Sequence, residues 1–215
     1  MISHRAFGTN FKSTLEESKI TIGGYDQSVV PDFKDFRFTN ITIFSKWQVS
    51  CSNIGYDNVN MGLNASTAIL TTGDSLVRFE SNNGDWSKMY NEITSGKTCG
   101  YSTASGLRAC TCNSTNDFKD ITLTLGGHNL VMEVDTWVTR ESSGICAFYI
   151  DSMSYSNSIS AVVLGYSFMR NYYIYHDLAN SRVGFYGPQP SSQGYLPTGI
   201  ALSLMILIFA FSLVF

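Results

Sequence analysis

Most of the chain alternates between short apolar runs and turn-forming residues, as is typical of β-strands joined by tight turns. Two Gly-Gly pairs, at 23–24 and 126–127, each follow a strand-like run and predict hairpins. From Trp47 to Cys51 every second residue is apolar, so one face of this strand is expected to be buried and the other, with Gln48 and Ser50, solvated. The pattern predicts an all-β fold.

One segment departs from the strand pattern. Apolar side chains recur three and four residues apart after residue 85, which predicts an amphipathic helix: Trp86, Met89, Tyr90 and Ile93. Asp85 is expected to cap its start and Gly96 to end it. We interpret this stripe as core packing rather than as a cofactor site, and no cofactor is expected.

Two segments combine a strand with a tight bend. In Ala68–Phe79, AILTTGDSLVRF, one apolar run enters the turn Thr-Thr-Gly and a second leaves it, so the turn lies at the buried end of a strand. In the second segment a strand, Ala161–Leu164, ends at Gly165. A short helix over Phe168–Tyr172 and a hairpin over 174–186 are expected to follow.

Bulk composition limits the functional classes. The 215 residues are 44% hydrophobic and 14% charged, which suffices for one well-packed domain. A net charge of −3 without a basic run argues against nucleic acid as a partner. The histidines, His4, His128 and His176, lack metal-ligand spacing, so no metal site is expected and each is predicted at the surface or in a turn.

The five cysteines form no CxxC pair, and disulfides explain them better than zinc. Cys51 lies far from the others in sequence and is the candidate for the unpaired thiol. The Gly-, Ser- and Thr-rich stretch 99–112 is predicted to be a surface loop. Sequons at Asn40, Asn64 and Asn113 favour passage through the secretory pathway.

The two ends of the chain have distinct compositions. Residues 1–18 lack the apolar core of a signal peptide, so the chain is expected to be truncated at its start. Residues 188–199 form a polar spacer before the uncharged stretch 200–215. That stretch predicts either a GPI-attachment signal, with attachment near Ser191 or Ser192, or a transmembrane helix, and the GPI signal is favoured.

Several segments together resemble the pepsin-like aspartic proteases. AILTTGDS resembles their active-site strand and turn, in which an apolar run precedes Asp-Thr/Ser-Gly. KITIGGYD resembles the segment that opens their C-terminal lobe, and VLGYSFMRNYY resembles their Leu-Gly-Asp-x-Phe-Leu-Arg-x-Tyr-Tyr. The matches cover 19–187 and imply one lobe, the C-terminal one, of a bilobal β-barrel-like fold with short helices, in which residues 1–18 are an interlobe segment or a truncated start. The hydrophobic C-terminal tail described above follows this lobe.

The resemblance also shows departures at the catalytic positions. In the family each lobe contributes one such turn, and the two aspartates share a proton to activate water. Thr71 stands where the second aspartate is expected, and Tyr166 stands where an aspartate usually follows the glycine. Asp74 is the possible substitute acid.

The remaining residues of the turn keep the family pattern. Thr72 and Gly73 match it, and the resemblance implies that the Thr72 hydroxyl braces the turn of the other lobe. Ser75 and Gly165 are implied neighbours of the substrate cleft. The resemblance further implies a disulfide between Cys112 and Cys146, with Cys99 and Cys110 closing an additional small loop.

Two functions follow as hypotheses. The first is an aspartic endopeptidase family member that is inactive as this chain alone and needs an N-terminal lobe, from the same gene or a partner chain, to act on a peptide or protein. The second is a non-catalytic, membrane-anchored binding module at the cell surface or in a vacuolar or lysosomal lumen.

A serine hydrolase is set aside. Gly165-Tyr-Ser-Phe-Met169 misses the final small residue of a nucleophile elbow. His176 directly precedes Asp177, and neighbours in a strand point to opposite faces.

Overall fold

A computed structural model of the chain describes residues 4–12, 17–141, 144–154 and 160–188. These residues are mostly β-structure with a few short helices. The strands are β1 (Ala6–Asn10), β2 (Lys19–Ile22), β3 (Arg37–Ile43), β4 (Gln48–Tyr56), β5 (Val59–Asn60), β6 (Thr67–Leu70), β7 (Val77–Glu80), β8 (Cys99–Tyr101), β9 (Arg108–Thr111), β10 (Ile121–Leu125), β11 (His128–Met132), β12 (Val138–Arg140), β13 (Ile145–Phe148), β14 (Ile150–Met153), β15 (Ala161–Leu164), β16 (Tyr173–Asp177) and β17 (Arg182–Tyr186). The α-helices are α1 (Asp85–Thr94), α2 (Val134–Trp137) and α3 (Tyr166–Met169), and 3₁₀ helices span Phe33–Asp35 and Thr115–Asp117.

The strands of the described residues form one large and one small sheet. The large sheet runs in the order β14-β7-β15-β6-β4-β3-β17-β16-β1-β2, with β5, β10 and β11 joined to it through β4. β4 connects these parts because it pairs with β3 and β6 near its start and with β10 and β5 near its end. The small sheet has the order β12-β13-β9-β8.

β15 lies between β6 and β7, although β6 and β7 are consecutive along the chain. It runs parallel to β6 and antiparallel to β7. This insertion brings the end of β15, at Gly165, beside the loop that joins β6 to β7. All four β15 residues are buried, which explains why the sequence there is a continuous apolar run.

The alternation of apolar and polar residues is observed where one face of a strand is solvated. In β10, Ile121, Leu123 and Leu125 are buried while Thr122 and Thr124 are partly exposed. β4 deviates from the expected alternation because Gln48 is buried, although Ser50 is exposed.

A second, aromatic cluster lies apart from the main core. Its buried members are Ala6, Val30, Phe36, Tyr173 and Tyr175. Strand β1 contributes to it and lies between β16 and β2. The large sheet therefore includes part of the segment 1–18, where no strand was predicted.

Helix α1 buries the predicted stripe but begins differently than expected. Trp86, Met89 and Ile93 are buried. Gly84 is the N-cap, and no side chain caps the helix. The buried Asp85 side chain instead accepts hydrogen bonds from the Asn64 backbone, at 2.7 Å, and from the Asn64 amide, at 3.2 Å.

Two disulfides are present, Cys99–Cys110 and Cys112–Cys146, which is the pairing that the resemblance implies. Their sequence separations of 11 and 34 residues correspond to about 3 and about 4 kcal/mol of stabilisation in the chain-entropy model. The predicted loop 99–112 is instead the hairpin β8–β9, because Cys99 pairs with Cys110 across the strands. Cys51 is a buried free thiol, and burial raises its pKa to about 11.

The helices of the described residues are all too short or too polar to cross a lipid bilayer. The predicted anchor, 200–215, lies outside the described residues, as do Ser191 and Ser192.

Candidate functional site

The candidate site is the loop of residues 71–76 between β6 and β7, called here the Thr71 turn. The Thr71 backbone N–H donates to the Leu164 carbonyl at 3.1 Å, which continues the pairing of β6 with β15. The Thr71 hydroxyl oxygen accepts the Gly73 N–H at 3.1 Å. Thr71 is half-buried, whereas Thr72, Gly73 and Ser75 are exposed, so the turn presents an open polar surface.

Asp74 supplies the only carboxylate of the Thr71 turn, and both of its oxygens have partners. One accepts the Leu76 N–H at 3.0 Å. The other contacts Arg78 Nε at 2.5 Å. The Arg78 guanidinium also donates to the Ser152 carbonyl, at 3.4 Å, so it joins the turn to β14.

Arg78 was not among the site residues predicted from the sequence. The available signal was a single cation four residues after Asp74, between the apolar residues Val77 and Phe79. Side chains four residues apart are neighbours on a helix but not on a straight strand. Here Asp74 and Arg78 meet because the chain bends between them.

Gly165 packs directly against the backbone of the Thr71 turn. A Cβ added to Gly165 would lie 2.3 Å from the Leu76 carbonyl oxygen and 2.5 Å from that of Asp74. The next two N–H groups bond to the same loop: Tyr166 donates to the Asp74 carbonyl at 2.9 Å and Ser167 to the Ser75 carbonyl at 3.2 Å. The site residues predicted from sequence therefore lie together, held by backbone contacts.

Tyr166 links this site to the start of the chain. Its hydroxyl donates to the Lys12 carbonyl, and its ring lies 5.8 Å from that of Phe11. Helix α3 begins at Tyr166, two residues earlier than predicted. Ser167, the candidate elbow serine, is buried and donates to the Tyr149 carbonyl at 3.0 Å.

His176 is not at the surface or in a turn, so that prediction was wrong. It is 3% exposed and stacks on Phe7, with ring centroids 4.3 Å apart. Trp47 meets the imidazole edge-on at 4.7 Å. Neither ring nitrogen has a hydrogen-bond partner among the described residues, and burial lowers the pKa of His176 to about 4.

The three sequon asparagines are all exposed. Asn40 lies on β3 opposite Arg182, and Asn113 lies before a 3₁₀ helix. The Asn64 amide nitrogen donates to the Asn83 carbonyl at 3.1 Å and to Asp85. A glycan on that nitrogen would have to displace one of these bonds.

Chemically, the Thr71 turn offers hydroxyl groups, backbone dipoles and one arginine-bound carboxylate. A threonine hydroxyl donates and accepts hydrogen bonds but does not ionise in the acidic range. The geometry thus provides a hydrogen-bonding surface rather than a pair of interacting carboxylic groups.

Comparisons with known proteins agree with this architecture. The family model for eukaryotic aspartyl protease matches residues 1–187. Vacuolar protease A of Neurospora crassa is 28% identical over 171 residues, covering 78% of this chain and 40% of that protein. Cathepsin E of Aquarana catesbeiana is 23% identical over 175 residues, covering 80% and 42%.

The same fold occurs among solved structures. The aspartic proteinase from Irpex lacteus superposes with a TM-score of 0.69 at 20% identity, covering 86% of this chain and 57% of that one. The chain thus has the fold of an aspartic proteinase, and it belongs to the eukaryotic aspartyl protease family. It spans about two fifths of the length of the curated relatives that it matches.

Proposed function

We propose that this chain is the C-terminal lobe of a pepsin-like aspartic peptidase in which Thr71 occupies the second catalytic position, and that the chain does not hydrolyse peptides by itself. The observation that carries the proposal is the intact Thr71 turn without a free carboxylate. The Thr71 hydroxyl bonds within the turn, and Asp74 is held by Arg78. Water attack on a peptide needs both a base and an acid at one centre.

Asp74 is a poor substitute for the missing aspartate. One of its oxygens is bound to a backbone N–H and the other to a guanidinium. These partners hold the Asp74 carboxylate within its own turn, whereas the chemistry of the family requires two carboxylic groups that share a proton at one centre.

A surface suited to a second lobe supports the requirement for an N-terminal lobe. β2 ends the large sheet of the described residues, and its free edge can accept another strand. Ile20 and Ile22 on β2 are 59% and 73% exposed. An N-terminal lobe, from the same gene or a partner chain, would cover these side chains and complete a cleft for a peptide or protein.

The disulfides and the vacuolar relatives support a secretory or vacuolar location. A non-catalytic binding module is the second candidate, and the same observation favours it: the fold around the turn is retained while the acid–base pair is lost. Membrane anchoring and glycosylation at Asn40, Asn64 and Asn113 remain part of this proposal.

The test restores the aspartate at position 71 and supplies an N-terminal lobe. The unmodified chain and Thr71→Asp alone should show no pepstatin-sensitive cleavage of casein at acidic pH. Thr71→Asp together with the N-terminal lobe of a vacuolar relative should gain at least about 100-fold over the unmodified chain with that lobe, since acid–base assistance contributes about that much.

Two results would contradict the proposal. One is pepstatin-sensitive cleavage by the unmodified chain that Asp74→Asn abolishes. Asp151→Asn is the matched control, because Asp151 is another partly buried carboxylate paired with an arginine, Arg108, at 2.8 Å. The other is a lack of activity when the Thr71→Asp chain is combined with the relative's N-terminal lobe, under conditions in which that relative's own two lobes are active together.

A further inference from the structure

A cavity of about 460 Å³ opens at the β16–β17 turn, and we call it the outer pocket. Its lining includes three aromatic residues, Tyr25, Phe33 and Tyr175, called here the aromatic wall, and polar residues that include Asp177, Asn180 and Arg182. The Arg182 guanidinium lies 5.6 Å from the centroid of the Phe33 ring. The outer pocket shares no residue with the Thr71 turn. Its volume lies within the range of small-molecule sites, about 300–1,000 Å³.

The aromatic wall is held in place by the fold. Phe33 begins a 3₁₀ helix that the Asp32 side chain caps. The Asp26 N–H, next to Tyr25, donates to the Tyr173 hydroxyl oxygen at 2.8 Å. The wall is therefore formed before any ligand arrives, which reduces the entropy lost on binding.

The spacing of the rings argues against a cage for an ammonium group. The ring centroids of Tyr25 and Phe33 are 5.6 Å apart, those of Phe33 and Tyr175 are 5.6 Å apart, and those of Tyr25 and Tyr175 are 6.1 Å apart. These are distances of rings in direct contact, so no space for a cation remains between them. Tyr25 and Phe33 are half-buried and present part of their surface outward.

The charges of the outer pocket are balanced internally. Arg182 Nε contacts the Asp177 carboxylate at 2.8 Å, and the guanidinium lies 3.9 Å from the centroid of the Phe38 ring. Asp177 also accepts from the Asn180 backbone and side chain, at 3.1 and 2.8 Å. Burial opposes its ionisation, but the hydrogen bonds from Asn180 and Arg182 outweigh burial and lower its pKa.

Polar side chains of the outer pocket can bond to a neutral ligand. Arg182 donates to Asp177 through Nε, which leaves its terminal nitrogens as further donors, and Gln27 adds an exposed amide to the lining. A ligand with a net charge would meet a paired cation and anion and gain little. A ligand with an apolar face and several hydroxyls would use both the rings and the planar polar groups.

We propose that the outer pocket binds a neutral carbohydrate, with one pyranose face against Phe33 and Tyr25 and its hydroxyls bonded to Arg182, Asn180 and Gln27. This proposal does not depend on the function proposed for the Thr71 turn. It would let the chain recognise glycans whether or not a catalytic cleft is complete.

The test measures binding of D-glucose, D-mannose and N-acetylglucosamine to the full chain by saturation-transfer NMR and calorimetry. The chain is first deglycosylated so that its own glycans cannot compete. At least one sugar should bind saturably with a millimolar dissociation constant. Phe33→Leu, which keeps an apolar side chain but removes the flat ring, should weaken that binding about tenfold, or about 1.4 kcal/mol.

Tyr101→Leu is the matched control, because Tyr101 is 64% exposed on β8 and outside the pocket. It should leave sugar binding unchanged. Gln27→Ala, at an exposed position, provides a second pocket variant that does not depend on the aromatic cluster, and it should weaken binding as well. Thermal melting of each variant confirms that it is folded.

The proposal is overturned if none of the three sugars binds saturably. It is equally overturned if a folded Phe33→Leu or Gln27→Ala variant binds as tightly as the unmodified chain. Saturable binding of choline or citrate in place of the sugars would assign the pocket to a charged ligand instead.

Discussion

His176 is expected to make the stability of this protein fall in acid. Its imidazole is 3% exposed and both nitrogens lack partners among the described residues. The neighbours that face it from the adjoining strands and loop are Phe7, Val183 and Trp47, none of which is ionisable. A proton on this ring would therefore place an uncompensated charge in apolar surroundings.

The direction and size of this change in stability follow from the lowered pKa of His176. The folded pKa of about 4 lies below the usual 6.5, so the unfolded chain binds the proton more tightly. Stability is unaffected above about pH 6.5 and decreases as the pH falls from there to about 4. A difference of about 2.5 pKa units amounts to about 3 kcal/mol of unfolding free energy lost at the acid end.

The assay is urea unfolding at a series of pH values between about 7 and 4 for the unmodified chain and His176→Leu. Other groups also titrate in this range, so the measured quantity is the difference between the two proteins. That difference should shift by about 3 kcal/mol in favour of His176→Leu as the pH is lowered. His4→Gln, at an exposed position, is the control for removing a histidine as such.

A pH-independent difference between the unmodified chain and His176→Leu would refute the reasoning. It would mean that His176 is not held neutral, or that the β1–β16 pairing around it opens without unfolding. Hydrogen exchange of the β1 amides, measured at about pH 7 and at about pH 4, distinguishes these two cases.

Two further predictions concern the Thr71 turn and the C-terminus. Gly165→Ala should lower the free energy of unfolding in urea by about 3 kcal/mol, because the new Cβ would meet the Leu76 and Asp74 carbonyls. Gly100→Ala is the control: open space surrounds Gly100, so this change should lower the free energy of unfolding by less than about 1 kcal/mol. Equal effects of the two substitutions would contradict the close packing of Gly165 on the Thr71 turn. If a lipid is attached near Ser191 or Ser192, phosphatidylinositol-specific phospholipase should release the mature protein from cell membranes. If the protein stays on the membrane while a known GPI-anchored protein is released, a transmembrane helix over 200–215 is favoured instead.

Local patterns determined much of the fold. The period-two pattern of Ile121, Leu123 and Leu125 predicts a strand with one buried face, and the glycines 126–127 predict its hairpin, because both depend on the backbone of neighbouring residues. The buried face of α1 was also predictable, since helical periodicity is a property of a single segment. The resemblance of the Ala68–Phe79 segment predicted the candidate site, and the family model that matches residues 1–187 confirms the family.

Tertiary structure alone decided which distant residues meet. His176 lies in a β16 sequence that could face solvent, and it is buried only because β1 supplies Phe7 and the β3–β4 turn supplies Trp47. Arg78 reaches Asp74 because the loop between them folds back over Gly165. The outer pocket likewise joins residues near 25–33 to residues near 175–182. Such contacts depend on the register and order of strands far apart in the chain, which no local pattern encodes.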